Sequence, residues 1–144
     1  PRKAAEMRVL FVCLGNICRS PTAEATFRTA ADKAGLEVEI DSAGTGAWHA
    51  GEPADARMRA SAKNRGVKLT SIARQVVDDD FNAFDFIYAM DGQNLQDLLR
   101  RAPAGHTARV ELFRDHDPEG QGEDVPDPYY GGPEGFEEVL DICQ

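Results

Sequence analysis

Cys13 and Arg19 stand six positions apart within the segment Val12-Cys13-Leu14-Gly15-Asn16-Ile17-Cys18-Arg19-Ser20-Pro21-Thr22-Ala23-Glu24, a combination able to build a nucleophilic thiolate and an anion cradle from one loop. Backbone N–H groups converging on a point, a helix N-terminus behind them and a nearby guanidinium all favour thiolate over thiol. Arg19 carries a planar fork that can hold two oxygens of a phosphoryl group at once, which an ammonium cannot do. Gly15 and Asn16 both tolerate the left-handed backbone that a loop wrapped around a tetrahedral anion needs. The Ser20 hydroxyl can donate to the Cys13 sulfur, stabilising the thiolate and later improving it as a leaving group. The segment lacks the Gly-Lys-Ser/Thr ending of a nucleotide-triphosphate loop, so that ligand class is disfavoured.

A loop of this kind needs a strand before it and a helix after it. Val9-Leu10-Phe11-Val12 is a continuous apolar run, as expected of a parallel strand covered on both faces. Ser20 followed by Pro21 reads as a helix N-cap with proline in the first helical position. Ala23, Phe27, Ala30 and Ala34 then recur at helical spacing, and Gly35 suits a left-handed C-terminal cap. Cys13 is thereby placed at the carboxyl end of a strand, where open parallel sheets put their ligands. Further on, Glu37 to Ser42 alternates like an edge strand with one wetter face, and Ala54 to Asn64 reads as a helix ending before Gly66. Phe84 to Ala89 is a third strand, with Asp91 after it as N-cap for a helix over Gly92 to Arg101. Val110 to Phe113 is a fourth strand, and Gly135 to the end is helical. The fold class expected is α/β, three layers, with a four-stranded parallel sheet and helices on both faces.

Cleaving a phosphate monoester also requires a proton donor opposite the attacking sulfur. The candidate is Asp127, in the proline- and glycine-rich stretch Asp124 to Pro133, where flanking prolines stiffen the chain. On its own Asp127 is an ordinary turn carboxylate, and Asp124 is its nearest rival. Tyr129, Tyr130 and Trp48 could wall a cleft for an aromatic phosphoester, with a core-capping role equally open to Trp48.

Val12 to Glu24 resembles the signature of the low-molecular-weight protein tyrosine phosphatases, and Asp127-Pro128-Tyr129-Tyr130 resembles that family's general-acid loop. The similarity extends to Asp41 to Thr45, Ala73 to Gln75, Tyr88 to Asp91 with Asn94, and Gly135 to Val139, and so spans nearly the whole chain from Arg8. The resemblance implies hydrolysis of phosphotyrosine in proteins through a phosphocysteine. Cys13 would be the nucleophile, Arg19 would bind the phosphate, and Asp127 would act as general acid and then base. It implies a substrate site of Leu14, Gly15, Asn16, Ile17, Cys18 and Ser20 with Trp48, Tyr129 and Tyr130. Relatives resembling arginine phosphatases carry threonine at the position of Ile17, so isoleucine favours phosphotyrosine. Cys18 is expected to close a reversible disulfide onto Cys13, the alternative being a small buried hydrophobe; Cys143 is expected to be inert. Asp91 is read as structural rather than catalytic. Ser71 stands where some relatives have a histidine bonding the signature loop, and relatives usually continue the last helix beyond the position of Gln144. The same scaffold serves thioredoxin-coupled arsenate reductases, but these relay oxidation to a further cysteine pair and only Cys143 lies outside the loop. A non-catalytic phosphate-binding module would need neither Cys13 nor Asp127.

The 144 residues fit one domain, expected over 8–144, with residues 1–7 a disordered extension. A net charge of -9 argues against nucleic acid or anionic membrane as partner, so phosphate affinity must be local to the loop. Three cysteines with the scattered His49, His106 and His116 show no ligand-pair spacing, and neither metal nor cofactor is expected. The expected partners are tyrosine-phosphorylated proteins, with phosphate, vanadate or similar oxyanions as inhibitors. No stretch resembles a membrane span or signal-peptide core, which makes the cytoplasm the expected compartment.

Overall fold

Alternate residues of the first strand, β1 (Met7–Cys13), feed two different cores. Val9, Phe11 and Cys13 point to one side of the sheet, where they meet Ala23, Met58 and Ala62; Leu10 and Val12 point to the other, against Ala43, Phe81, Ile87 and Leu98. A strand buried on both faces reads as the unbroken apolar run seen in the sequence. The computed structural model describes residues 7–35, 37–47, 49–116, 125 and 142–143.

The described elements follow in the order β1, α1 (Arg19–Ala34), β2 (Val38–Gly44), α2 (Ala56–Asn64), α3 (Asp80–Ala83), β3 (Phe86–Ala89), α4 (Gly92–Arg101) and β4 (Arg109–Leu112), closing on a 3-10 turn over Phe113–His116. All four strands are parallel, in the order β2-β1-β3-β4, so β2 is an edge as expected. α1 and α2 cover one face, and α3 with α4 the other. The chain leaves β1 toward β2 on one side and returns to β3 on the other, which makes the carboxyl end of β1 a topological switch point. Register brings the strand ends level there, with Cys13 opposite Gly44 and Val12 opposite Ala89.

Several boundaries differ from the sequence reading. β1 already includes Met7, which was expected to belong to a disordered extension. α1 begins at Arg19 with Cys18 as N-cap, so Ser20 is not the cap and Pro21 is the third helical residue; no side chain caps this end. The helix buries Ala23 and Ala31, whereas Ala30 and Ala34 of the expected stripe are exposed. Thr22 and Thr26 are buried beside Ala23, and each satisfies its hydroxyl within the helix, on the Cys18 carbonyl at 2.7 Å and the Thr22 carbonyl at 2.9 Å. Gly35 closes α1 in the left-handed conformation, with φ of 70°. The short α3 was not foreseen; four residues are too few to show a period. Of the expected C-terminal helix, Ile142 and Cys143 are described and helical. Among the described residues no helix is long and apolar enough to cross a membrane.

Candidate active site

β1 delivers Cys13 to the switch point with its sulfur buried. The backbone N–H of Asn16 donates to Sγ at 3.2 Å, and the Ser20 hydroxyl lies 3.0 Å from it. The Asn16 N–H reaches back because that residue adopts φ of 58°, the one left-handed backbone among described non-glycine residues. Gly15 has no such φ; a Cβ there would lie 3.1 Å from His49 Cδ2, so the imidazole would have to give by a few tenths of an ångström.

The Ser20 hydroxyl has three neighbours: the Cys13 sulfur, the Asn16 Nδ2 that donates to it at 2.8 Å, and the Ala43 carbonyl at 3.4 Å. With Asn16 occupying an acceptor site, the hydroxyl hydrogen is left to choose between sulfur and carbonyl. It turns to the sulfur when that is a thiolate and to Ala43 when the thiol itself donates. Asn16 also accepts at Oδ1 from the Arg74 backbone N–H, 3.0 Å away, so both ends of its carboxamide are fixed. Arg74 is held in turn by Asp80, which takes both Nη atoms at 3.0 and 3.1 Å, and by Asp41 at 3.1 Å from Nε. Burial acts to lower the Arg74 pKa, but Asp80 and Asp41 outweigh it and raise it. The Arg74 carbonyl accepts from the Gly44 N–H at 2.8 Å. Asp41 to Gly44 and Ala73 to Gln75 therefore form the scaffold behind the loop.

Arg19 is almost fully buried, and its Nη1 donates to Asp91 Oδ2 at 2.5 Å and to the Val125 carbonyl at 3.1 Å. Asp91 is the N-cap of α4, as expected, its Oδ1 accepting from the Asn94 N–H at 2.7 Å. Its second oxygen orients Arg19, a role the sequence did not reveal. Val125 is fully buried, and its N–H donates to the Met90 carbonyl at 2.7 Å. Val125 is thus held between Met90, just after β3, and Arg19.

Leu14 is exposed at the rim of the loop, while Ile17 and Cys18 are buried. Ile17 borders a groove of about 250 Å³ together with His49, Ala54 and Arg59. Cys18 belongs to the core cluster beneath the loop, and neither it nor Cys13 is in a disulfide. Cys143 packs against the same cluster, where burial pushes its thiol up to about 12. Trp48, Asp127, Tyr129 and Tyr130 lie outside the described residues. Three contributors escaped the sequence reading: His49 beside Gly15, the Asp91 contact to Arg19, and the Arg74 contact to Asn16. The contacts to Arg19 and Asn16 join residues 72 and 58 positions apart, beyond the reach of any local spacing. Among the described residues no group of three or more His, Cys, Asp or Glu side chains is placed to hold a metal ion.

Residues 8–144 match the family model described as low molecular weight phosphotyrosine protein phosphatase. The chain is 50% identical over 133 residues to the low molecular weight phosphotyrosine protein phosphatase of Schizosaccharomyces pombe, an overlap of 90% of this chain and 85% of that one. A protein tyrosine phosphatase from Entamoeba histolytica, crystallised with Hepes in the active site, matches with a TM-score of 0.91 and 46% identity over 96% of this chain and 90% of that one. The crystal structure of YfkJ from Bacillus subtilis matches with a TM-score of 0.88 and 41% identity, covering 99% and 90%.

Proposed function

Because the chain belongs to the low molecular weight phosphotyrosine protein phosphatases, we propose that it hydrolyses phosphotyrosine in proteins through a phosphocysteine formed on Cys13. The observation that carries this is the buried Cys13 sulfur at the switch point, held between the Asn16 N–H and the Ser20 hydroxyl. In the first step the sulfur attacks phosphorus, the bond to the tyrosyl oxygen breaks, and Asp127 gives its proton to the leaving phenoxide. In the second, water attacks phosphorus, the Asp127 carboxylate takes its proton, and the S–P bond breaks to return thiolate and phosphate. The amides of Leu14 to Cys18 and the guanidinium of Arg19 stabilise the equatorial oxygens throughout. Ser20 donates to the sulfur as it departs.

Anchorage of Arg19 by Asp91 and Val125 fixes the plane of its fork, which supports the phosphate-binding role. Support for Asp127 comes from its place in the sequence, two residues after Val125, whose carbonyl accepts from Arg19. Ile17, Trp48, Tyr129 and Tyr130 are assigned to the walls around the phenyl ring. The Hepes in the Entamoeba protein carries a sulfonate, another tetrahedral oxyanion, in keeping with inhibition here by phosphate or vanadate. Arsenate reduction is disfavoured, since Cys143 is the single cysteine outside the loop and is held as a thiol by burial.

The test is a rapid-quench experiment on a radiolabelled phosphotyrosine peptide, run beside phosphoserine and phosphoarginine peptides and arsenate. Wild type should accumulate label on Cys13, Cys13→Ser should form none while still binding phosphate, and Asp127→Ala should slow the peptide far more than an activated aryl phosphate. Residual turnover of Cys13→Ser within about tenfold of wild type removes Cys13 as nucleophile, and equal losses on both substrates remove Asp127 as acid. We assign Cys18 as the resolving thiol: peroxide oxidises Cys13 to the sulfenic acid, and the Cys18 thiol displaces water to give a disulfide. Thiol rescue after peroxide should therefore succeed for wild type and fail for Cys18→Ala. Equal rescue of the two excludes the lock.

A further inference from the structure

Charge in this acidic chain is sharply segregated. Between Asp55 and Asp78 stand six of its sixteen lysines and arginines, namely Arg57, Arg59, Lys63, Arg65, Lys68 and Arg74, and no acidic residue. Two of the six are neutralised nearby, Arg57 by Asp55 and Arg74 by Asp41 and Asp80. Arg59, Lys63 and Lys68 have no carboxylate partner among the described residues, and all three line a single groove of about 510 Å³. Gly66, Val67 and Leu69 complete it, the last two buried as an apolar floor. Arg59 and Lys63 are one helical turn apart on α2 and share a face, while Met58 and Ala62 turn the adjacent face into the core. Lys68 approaches from the segment beyond the helix.

Arg59 also lines the smaller groove that ends at Ile17 in the Cys13 loop. There its Nε donates to the Ala54 carbonyl at 2.9 Å, which holds the side chain at the junction of the two grooves. The carboxylates of the smaller groove are already engaged, Glu52 with His49 and Asp55 with Arg57 and the N-terminus of α2. A track thus runs from the mouth of the catalytic loop, past a charge-balanced stretch, to three cations over an apolar floor.

We propose that this track is a docking groove for an acidic segment of the phosphoprotein substrate, lying several residues from the phosphotyrosine in sequence. The proposal rests on the phosphatase reading above and adds to it the class of substrate preferred. Charge complementarity selects the occupant: the chain carries -9 overall, which repels an acidic partner at long range, and three cations without a carboxylate partner among the described residues offset that repulsion locally. The apolar floor favours an acidic segment interleaved with aliphatic or aromatic residues over a bare run of carboxylates.

The test uses the intact chain and pairs of phosphotyrosine peptides that differ in one tract, acidic or neutral, about three to six positions to either side of the phosphotyrosine. Wild type should favour the acidic member about tenfold in kcat/KM at low salt, mainly through KM, with the advantage fading as ionic strength rises. Lys63→Gln with Lys68→Gln removes two exposed groups that the core does not use. The double variant should lose most of this preference and keep wild-type rates on the neutral peptide and on a small aryl phosphate. Equal use of both peptides by wild type, or a preference unchanged in the double variant, overturns the proposal. So does a patch that instead binds a single-stranded RNA oligonucleotide, or a second copy of the chain by sedimentation, without preferring the acidic peptide. Fluorescence anisotropy with the unphosphorylated acidic peptide reads the groove independently of chemistry. Should the chain hydrolyse no phosphotyrosine, the functional reading fails while this binding still decides the groove.

Discussion

Asp91 divides its two carboxylate oxygens between different elements, one capping α4 and the other holding Arg19. The roles separate under substitution. Asparagine caps a helix about as well as aspartate but brings no charge to a buried guanidinium, whereas alanine does neither. We expect Asp91→Asn and Asp91→Ala both to lose about tenfold or more in kcat/KM, with alanine costing about 1 kcal/mol more in urea unfolding. Unchanged kinetics in the asparagine variant would show that Arg19 is oriented without it. Individual residue types were legible where the chemistry is local: Cys13, Asn16, Arg19 and Ser20 fall within one short segment, and Asp91 announced its cap by its place before a helix. What Asn16 does with its carboxamide was not legible, because its second partner is the backbone of Arg74, and a backbone group leaves no mark in the sequence.

At the scale of elements, the loop depends on how closely β2 approaches it. A Cβ on Gly44 would lie 2.7 Å from the Leu14 carbonyl oxygen and 3.0 Å from that of Gly46, closer than backbone atoms can accommodate. Gly44→Ala should force the end of β2 away from the loop, costing about 2 kcal/mol or more in denaturant unfolding together with most of the turnover. The cap of α2 gives a second test. Burial of Asp55 acts to raise its pKa, but hydrogen bonds from Arg57 and Met58 outweigh it, and the net shift is downward from 3.8. A lowered carboxylate stabilises the fold above its unfolded pKa, and that contribution disappears as pH falls through the folded value. The deficit of Asp55→Ala, about 1 kcal/mol near neutral pH, should therefore shrink below pH 3.8, as urea titrations at pH 7 and pH 3 will report. The start of α1 was misread for an instructive reason. Ser-Pro is a common cap signal, yet here the serine hydroxyl is engaged by Cys13 and Asn16, and the helix starts at Arg19, two residues before the expected Pro21.

For the whole molecule, the alternation of apolar runs with helical spacing was enough to give four parallel strands and two helical layers, because a strand with no polar face has to be covered twice. The lateral order of strands and the joints between distant segments lie beyond any periodicity; they appear once β1 is set between β2 and β3. One such joint has a thermodynamic consequence. The guanidinium assigned to phosphate also grips the Val125 carbonyl, while the Val125 N–H is bonded to Met90. An anion that immobilises Arg19 must therefore tighten Val125, and by linkage anything that frees Val125 must weaken the anion. Phosphate at about 100 times its dissociation constant adds about 2.7 kcal/mol of stability by mass action, and hydrogen exchange at the Val125 amide should slow along with it. Arg19→Ala should speed that exchange even without ligand. If Val125 exchanges equally in the variant, in wild type and under saturating phosphate, occupancy of the anion site and order in the downstream segment are independent variables; if not, the protein senses an occupied site through a single shared side chain.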